Sequence, residues 1–419
     1  MLQAILLISV GACIGIAYLV FTHRRGTPFL NLELDQLPAL EDGLATLAGL
    51  TGGAVSKSNA FRVYQNGDVY DAMESDIGAA ERTIHLETFV WTAGSLERRF
   101  VELFSRKATE GVDVRLLIDA MGGWDADSKQ LQAMCRAGVQ LSVYCKPRWW
   151  NLRRFNHRTH RKLLIVDGHI GYTFGHGIAD QWLGSAQDKD HWRDTAVRAE
   201  GPVVQALQSV FMENWIEETH CVPSGESCFP VIEAQGDTQA HVVSSASDEA
   251  MSKVALLYTV AIASARREVI IQNPYFVPDN GVCQLLAKMV ERGVAVHLMV
   301  PGANTDSPFV RRAGCYLYRP LLQAGVRVYE FQPTLSHQKI VIVDGIWSHI
   351  GSTNFDSRSL ALNEEVGIGI LDEKIAAELR RAFEADLQRS REVTLAEWRK
   401  RPAYSHALDW LFYQVHDQL

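Results

Sequence analysis

Two histidine–lysine pairs are the residues of this chain best suited to chemistry. Positions 160–168 read H-R-K-L-L-I-V-D-G and positions 337–345 read H-Q-K-I-V-I-V-D-G. Each copy is a His, a Lys two residues on, four apolar residues, then Asp-Gly. The apolar run predicts a buried strand and Asp-Gly a tight hairpin turn. On a strand His160 and Lys162 share a face, as do His337 and Lys339. An imidazole can attack phosphorus or carry a proton, and an ammonium can neutralise oxyanions that develop beside it, so the pair suits a phosphodiester.

The second copy carries the geometry further. With Asp344-Gly345 as a two-residue turn, Val343 pairs with Ile346 and His337 falls opposite Ser352. Asn354 then joins His337, Lys339 and Ser352 on one face. Ser352 and Asn354 are therefore candidate phosphate-binding residues, giving a hydroxyl and an amide beside the imidazole and the ammonium. Two motif copies with the same apolar filling and the same following glycine indicate an internal repeat.

The elements around the motifs repeat as well. Residues 80–87 (A-E-R-T-I-H-L-E) match 265–272 (A-R-R-E-V-I-I-Q), 111–118 match 293–300, and 137–141 match 324–328. In each half a helix-period stretch, such as Glu102 to Glu110, leads into a Gly-Val strand. The pattern predicts an α/β fold of two similar domains, each a mixed β-sheet flanked by helices. Pro, Gly and Ser cluster between Val222 and Gln239, which places the boundary there. The expected domains span residues 40–225 and 240–400.

The chain has 419 residues, 47% hydrophobic and 21% charged, room for two domains with proper cores. A net charge of −8 argues against a general nucleic-acid binder. Leu2 to Phe21 is an apolar run long enough for a bilayer core, followed by His23, Arg24 and Arg25. Residues 1–25 are thus expected to form an N-terminal transmembrane anchor, with the body on the cytoplasmic side of the cell's inner membrane. A cleaved leader would want a basic start, and Val10-Gly-Ala-Cys13 resembles a lipoprotein box only until the apolar run continues past it. Seven cysteines, with only Cys221 and Cys228 close together, are expected to be free thiols.

The two motifs resemble those of the phospholipase D superfamily. The second copy continues G-S-T-N-F-D-S-R-S from Gly351 and N-E-E from Asn363; the first continues W-R-D-T from Trp192 and G-P-V-V from Gly201. These are similar to the bacterial cardiolipin synthase branch, over about residues 60 to 390. The resemblance implies halves packed with pseudo-two-fold symmetry around one site, and a catalytic set of His160, Lys162, Asp167, His337, Lys339 and Asp344. Within it His160 is the nucleophile and His337 the general acid, while Asp167 and Asp344 hold the turns. Asp194 is expected to orient the first histidine and Glu365 the second. No metal or other cofactor is required, since the lysines and imidazoliums supply the positive charge.

The first half departs from the pattern at Gly177, where the family usually has Asn, and at Phe174, where a Gly is expected. Either the first phosphate donor is missing, or His176 replaces it, or one Asn suffices. The stretch from Lys146 to His160 mixes Trp149, Trp150 and Phe155 with Arg148, Arg153 and Arg154. It suits an anionic lipid surface, and less well a single-stranded nucleic acid. Ala407 to Phe412, which includes Trp410, is expected to be a docking helix. The expected function is phosphatidyl transfer between two phosphatidylglycerols through a phosphohistidine, with release of glycerol. The expected partners are anionic phospholipid and the membrane surface, with no nucleic acid. A hydrolase using water as acceptor is the alternative within the fold; a membrane scaffold with degenerate motifs would fit poorly with two intact His–Lys pairs.

Overall fold

The computed structural model describes residues 11, 30, 32–146, 157–223, 225–246 and 251–415. Apart from Gly11, the predicted anchor lies outside the described residues, as do Arg148, Trp149, Trp150, Arg153, Arg154 and Phe155. Among the described residues no helix is long and apolar enough to cross a membrane.

The first half contributes strands β1 (Ser56–Gln65), β2 (Thr83–Thr88), β3 (Asp113–Asp119), β4 (Gln140–Tyr144), β5 (Arg158–Thr159), β6 (Leu163–Val166), β7 (Ile170–Phe174) and β8 (Thr195–Glu200). The second contributes β9 (Thr238–Ser245), β10 (Glu268–Gln272), β11 (Phe276–Val277), β12 (Ala295–Pro301), β13 (Arg327–Phe331), β14 (Ile340–Val343), β15 (Trp347–Gly351), β16 (Phe355–Asp356), β17 (Asn363–Leu371) and β18 (Ser390–Val393). One large sheet runs through both halves. From the central β1–β9 pair it extends as β8-β7-β6-β2-β3-β4 on one side and β17-β15-β14-β10-β12-β13-β18 on the other. In each half the motif strand is antiparallel to its neighbours, and the three strands beyond it are parallel.

The helices are α1 (Leu40–Leu50), α2 (Asp68–Ala79), α3 (Ser95–Thr109), α4 (Ser128–Arg136), α5 (Val203–Thr219), α6 (Lys253–Ala263), α7 (Asn280–Glu291), α8 (Pro308–Ala324), α9 (Ser357–Ala361), α10 (Glu373–Leu387), α11 (Leu395–Arg399) and α12 (Ala403–Gln414). They cover both faces of the sheet, so the motif strands β6 and β14 are buried on both sides and read as unbroken Leu, Ile and Val. In α3 the buried residues Leu96, Phe100, Leu103, Phe104 and Lys107 recur at helical spacing. Its first turn is capped from elsewhere in the chain: Asp180 accepts from the Ser95 and Leu96 N–H groups at 2.9 and 2.8 Å. A single apolar cluster joins the halves, bringing Leu163, Ile165 and Val197 together with Ile340, Ile368 and Ile370. The C-terminal stretch forms α12 and docks on α8, where buried Asp409 pairs with Arg312 and Arg401 at 3.1 and 2.8 Å.

The motif hairpins form where Asp-Gly predicts them, but one residue out of the expected register. Val343 pairs with Trp347, not Ile346, and Val166 with Ile170. The tight turn does close, with the Ile346 N–H on the Val343 carbonyl at 3.2 Å. The Ile346 carbonyl accepts from Asp372 N–H at 2.9 Å, and in both hairpins the ladder resumes one residue later. Gly351 thus becomes the partner of Lys339, and Ser352 is not opposite His337. The described cysteines, Cys221 and Cys228 among them, are free thiols.

Candidate active site

Asp167 and Asp344 do their work at the turns, away from the reacting groups. Asp344 takes a left-handed backbone conformation and accepts from the N–H groups of Arg266, Arg267 and Glu268 at 2.7–2.9 Å. Asp167 does the same for Glu81, Arg82 and Thr83 at 2.7–2.8 Å. Each carboxylate ties its hairpin to the start of the neighbouring central strand, and so fixes how far the motif strand reaches. At the other end of that strand stand the histidine and the lysine.

The carboxylates that orient the histidines are crossed between the halves, contrary to the assignment the resemblance implied. His160 Nδ1 lies 3.0 Å from both oxygens of Glu365, a second-half residue. His337 Nδ1 lies 2.8 Å from Asp194 Oδ2, a first-half residue. The backbone explains the crossing. β5 runs parallel to the start of β17, pairing Arg158 with Asn363 and Thr159 with Glu364, and the His160 N–H donates to the Glu364 carbonyl at 2.9 Å. A matching bridge pairs Arg193 with Ser336, and the His337 N–H donates to the Arg193 carbonyl at 2.7 Å. The residue after each bridge is the carboxylate, so it meets the histidine of the opposite half. With Nδ1 facing a carboxylate, Nε2 is the nitrogen each ring can present to substrate, and in His337 it also has Lys339 Nζ at 3.1 Å.

The two carboxylates are solvated differently by the protein. Burial works against the charge on Asp194, but His176, His337 and Lys339 hold its carboxyl below the usual range. It also accepts from Trp182 Nε1 at 3.0 Å and from the Thr195 N–H at 2.9 Å. Glu365 is pushed up to about 7 by burial, offset in part by Lys162 and a short hydrogen bond from the Ser352 hydroxyl. Burial, then Lys339, push His337 down to about 4, with Asp194 pulling the other way. Burial and the Lys162 and Lys339 charges press His160 well below its usual value. The ammonium groups donate to the carbonyls of their own histidines, Lys162 at 2.8 Å and Lys339 at 2.6 Å. Burial lowers them to about 7 and about 8. Two desolvated cations side by side, each lacking a dedicated carboxylate, make a socket for an anion.

The flanking positions are unequal. Ser352 is fully buried with its hydroxyl committed to Glu365, so it positions that carboxylate and is not available to a phosphate. Asn354 is buried, and its side-chain oxygen has no protein partner. In the first half a Cβ at Gly177 would stand 2.6 Å from Val90 Cβ and 2.9 Å from the Trp182 ring, so Val90 and the indole together leave no room for a second Asn. His176 does not replace it: its Nε2 lies 2.8 Å from the Asn66 carbonyl, and the ring is wholly buried behind Asp194.

Several residues of the site are not among the candidates read from the sequence. Trp182 and Trp192 wall His337 with ring centroids at 5.4 and 5.6 Å, and Phe89 lies 5.3 Å from His160. Behind His160, Arg161 is buried against Glu364 and Glu213, at 3.3 and 2.8 Å, while Glu87 accepts from Thr159 and Asn214. Behind His337 the first-half Arg193, paired with second-half Asp386 at 3.0 Å, performs the comparable bracing. Glu87 could have been found from the repeat, because Gln272 stands at its matching position and is also buried.

Comparisons with known proteins give the chain's family. A family described as "Cardiolipin synthase, PLD-like domain" matches residues 73–215 and 258–387. Cardiolipin synthase A of Pseudomonas fluorescens is 34% identical over 82% of this chain and 71% of its own length. Cardiolipin synthase of Oceanobacillus iheyensis is 32% identical over 81% and 71%, and cardiolipin synthase A of Pseudomonas aeruginosa 33% over 90% and 82%. Among solved structures, a phosphatidylserine synthase of Haemophilus influenzae shares the fold with a TM-score of 0.63 at 14% identity, covering 86% of this chain and 94% of its own. With this family model matching both halves and relatives 32–34% identical over most of the chain, the chain belongs to the cardiolipin synthase family of the phospholipase D superfamily.

Proposed function

We propose that the protein is a cardiolipin synthase-type phosphatidyltransferase, moving a phosphatidyl group from one phosphatidylglycerol to another through His160. The observation that carries this reading is the pair of crossed His–carboxylate contacts around two buried lysines, in a chain of this family. His160 Nε2 attacks phosphorus, a P–N bond forms, and the P–O bond to the departing glycerol breaks. His337, protonated, gives its proton to that oxygen. The neutral His337 then takes a proton from a hydroxyl of the second phosphatidylglycerol, whose oxygen attacks phosphorus and releases His160. The unequal carboxylates support these roles. Ionised Asp194 favours a cationic His337, whereas Glu365, nearer neutrality, leaves His160 a neutral nucleophile. The anionic phosphodiester, drawn between Lys162 and Lys339, raises the proton affinity of His337 at the step that uses it.

Asn354 would hold a non-bridging or acceptor oxygen on one side only, opposite the Trp182 wall. The enzyme works at a membrane, with Leu2–Phe21 as its single-pass anchor, the catalytic body cytoplasmic and residues 40–225 and 240–400 as its two domains. Water as acceptor is the competing reading, and nucleic acid is not the substrate. The test is purified protein with phosphatidylglycerol vesicles in chelator, products read by mass spectrometry, beside His160→Ala and His337→Ala. Cardiolipin and glycerol from the wild type and neither from the variants is expected. Phosphatidic acid alone would make the enzyme a hydrolase.

A further inference from the structure

A cavity of about 320 Å³ lies between α6 and α7, roofed by Leu30, Leu32 and Leu34. Its volume and largely apolar lining are those of a small-ligand pocket. It shares one wall with the active site. Phe355, next to Asn354, lines the cavity, and Tyr258 stacks on Phe355 with ring centroids 4.4 Å apart. The short helix α9 closes the wall: its Leu360 lines the cavity, while its Arg358 lies close enough to His160 to disfavour protonation of that ring. Tyr258 likewise feels the charge of Glu365. The chain from Asn354 through Phe355 to Leu360 thus links the histidine–lysine site to this apolar space.

We infer that this cavity binds one acyl chain of the phosphatidyl donor, with the glycerol backbone passing over α9. The inference rests on the transferase reading and adds the site that selects the lipid by its tails. The occupant follows from continuity with the phosphate site: the only apolar group carried by a substrate anchored there is its hydrocarbon. Asp279 and Lys288 also line the cavity, and they give its rim a polar edge that a hydrocarbon tail would pass on entry. Each methylene withdrawn from such a pocket is worth about fourfold in binding.

Ala255 and Thr259 line the cavity and touch none of the catalytic groups, so Ala255→Trp and, independently, Thr259→Phe fill it from α6. In mixed micelles, each variant is expected to raise KM for dioleoyl-phosphatidylglycerol at least tenfold, leaving kcat and KM for the dihexanoyl lipid near wild type. Equal changes for both lipids, or none in a variant whose thermal unfolding matches wild type, would overturn the inference. A phosphatidylglycerol with a diazirine at its acyl terminus supplies a readout without turnover. Its crosslinks should map to α6 and α7 and be lost in Ala255→Trp; crosslinks elsewhere refute the acyl site. If the wild type turns over neither lipid, the transferase reading fails, while the crosslink map still decides the pocket.

Discussion

Replacing each carboxylate by its amide discriminates crossed from uncrossed pairing. Asp194 accepts three hydrogen bonds, from His337 and Trp182 on Oδ2 and from the Thr195 N–H on Oδ1. In Asp194→Asn one amide orientation sets its NH2 against Thr195 N–H and the other against Trp182 and His337. The second reverses the His337 tautomer, and both leave a buried donor unpaired. The cost is that of a general acid with its orienting carboxylate removed, about 10²–10⁴ in kcat/KM for phosphatidylglycerol. A p-nitrophenyl phosphodiester needs no proton on its leaving group, so stopped-flow release of nitrophenolate reports attack alone. Asp194→Asn, like His337→Ala, should keep a burst within about tenfold of wild type while losing the glycerol reaction. Glu365→Gln, like His160→Ala, should lose both. If Asp194→Asn instead behaves like His160→Ala, the crossed pairing is refuted.

A Cβ at Gly175 would stand 2.3 Å from Asp194 Oδ1, so Gly175→Ala should displace that carboxylate. We expect a fall of about 10² in kcat/KM with a stability loss of only about 1–3 kcal/mol, read by urea unfolding. Asp344→Ala removes three backbone hydrogen bonds to one carboxylate and should cost about 2–4 kcal/mol in the same assay. His241 is buried with both ring nitrogens unpartnered and held down to about 4 from 6.5. The unfolded chain protonates it first, so its stabilisation is whole above pH 6.5 and drains as pH falls toward 4. His241→Leu should therefore lose less stability than wild type between pH 6.5 and 4, and an unchanged slope of urea midpoint against pH would count against a buried neutral ring.

The repeat, the strand content and both His–Lys pairs were legible because they rest on short-range pattern: apolar runs, Asp-Gly turns and a two-residue spacing. What a single strand pair cannot reveal is which half answers it. Asp194 and Glu365 could be picked out as carboxylates, but their crossing depends on β5 lying beside β17 and on the Arg193–Ser336 bridge, contacts spanning more than 140 residues. The hairpin register differs from the two-residue expectation because both connections take three residues, with Asp and Gly at positive φ, a choice the Asp-Gly pair alone does not announce. Ser352 was read as facing substrate because it was placed by the two-residue register. That Val90 and the Trp182 ring leave no room for a side chain at Gly177 belongs to packing, which the local sequence does not express.

The crossed strands also limit how the molecule can move. Sliding one half past the other by an ångström or two would break the His160–Glu365 and His337–Asp194 contacts together, along with the two main-chain bonds beside them. The β1–β9 pairing and the shared apolar cluster oppose the same displacement. Among the described residues the two histidines and their carboxylates can therefore shift only together, so a change that loosens one pair loosens the other.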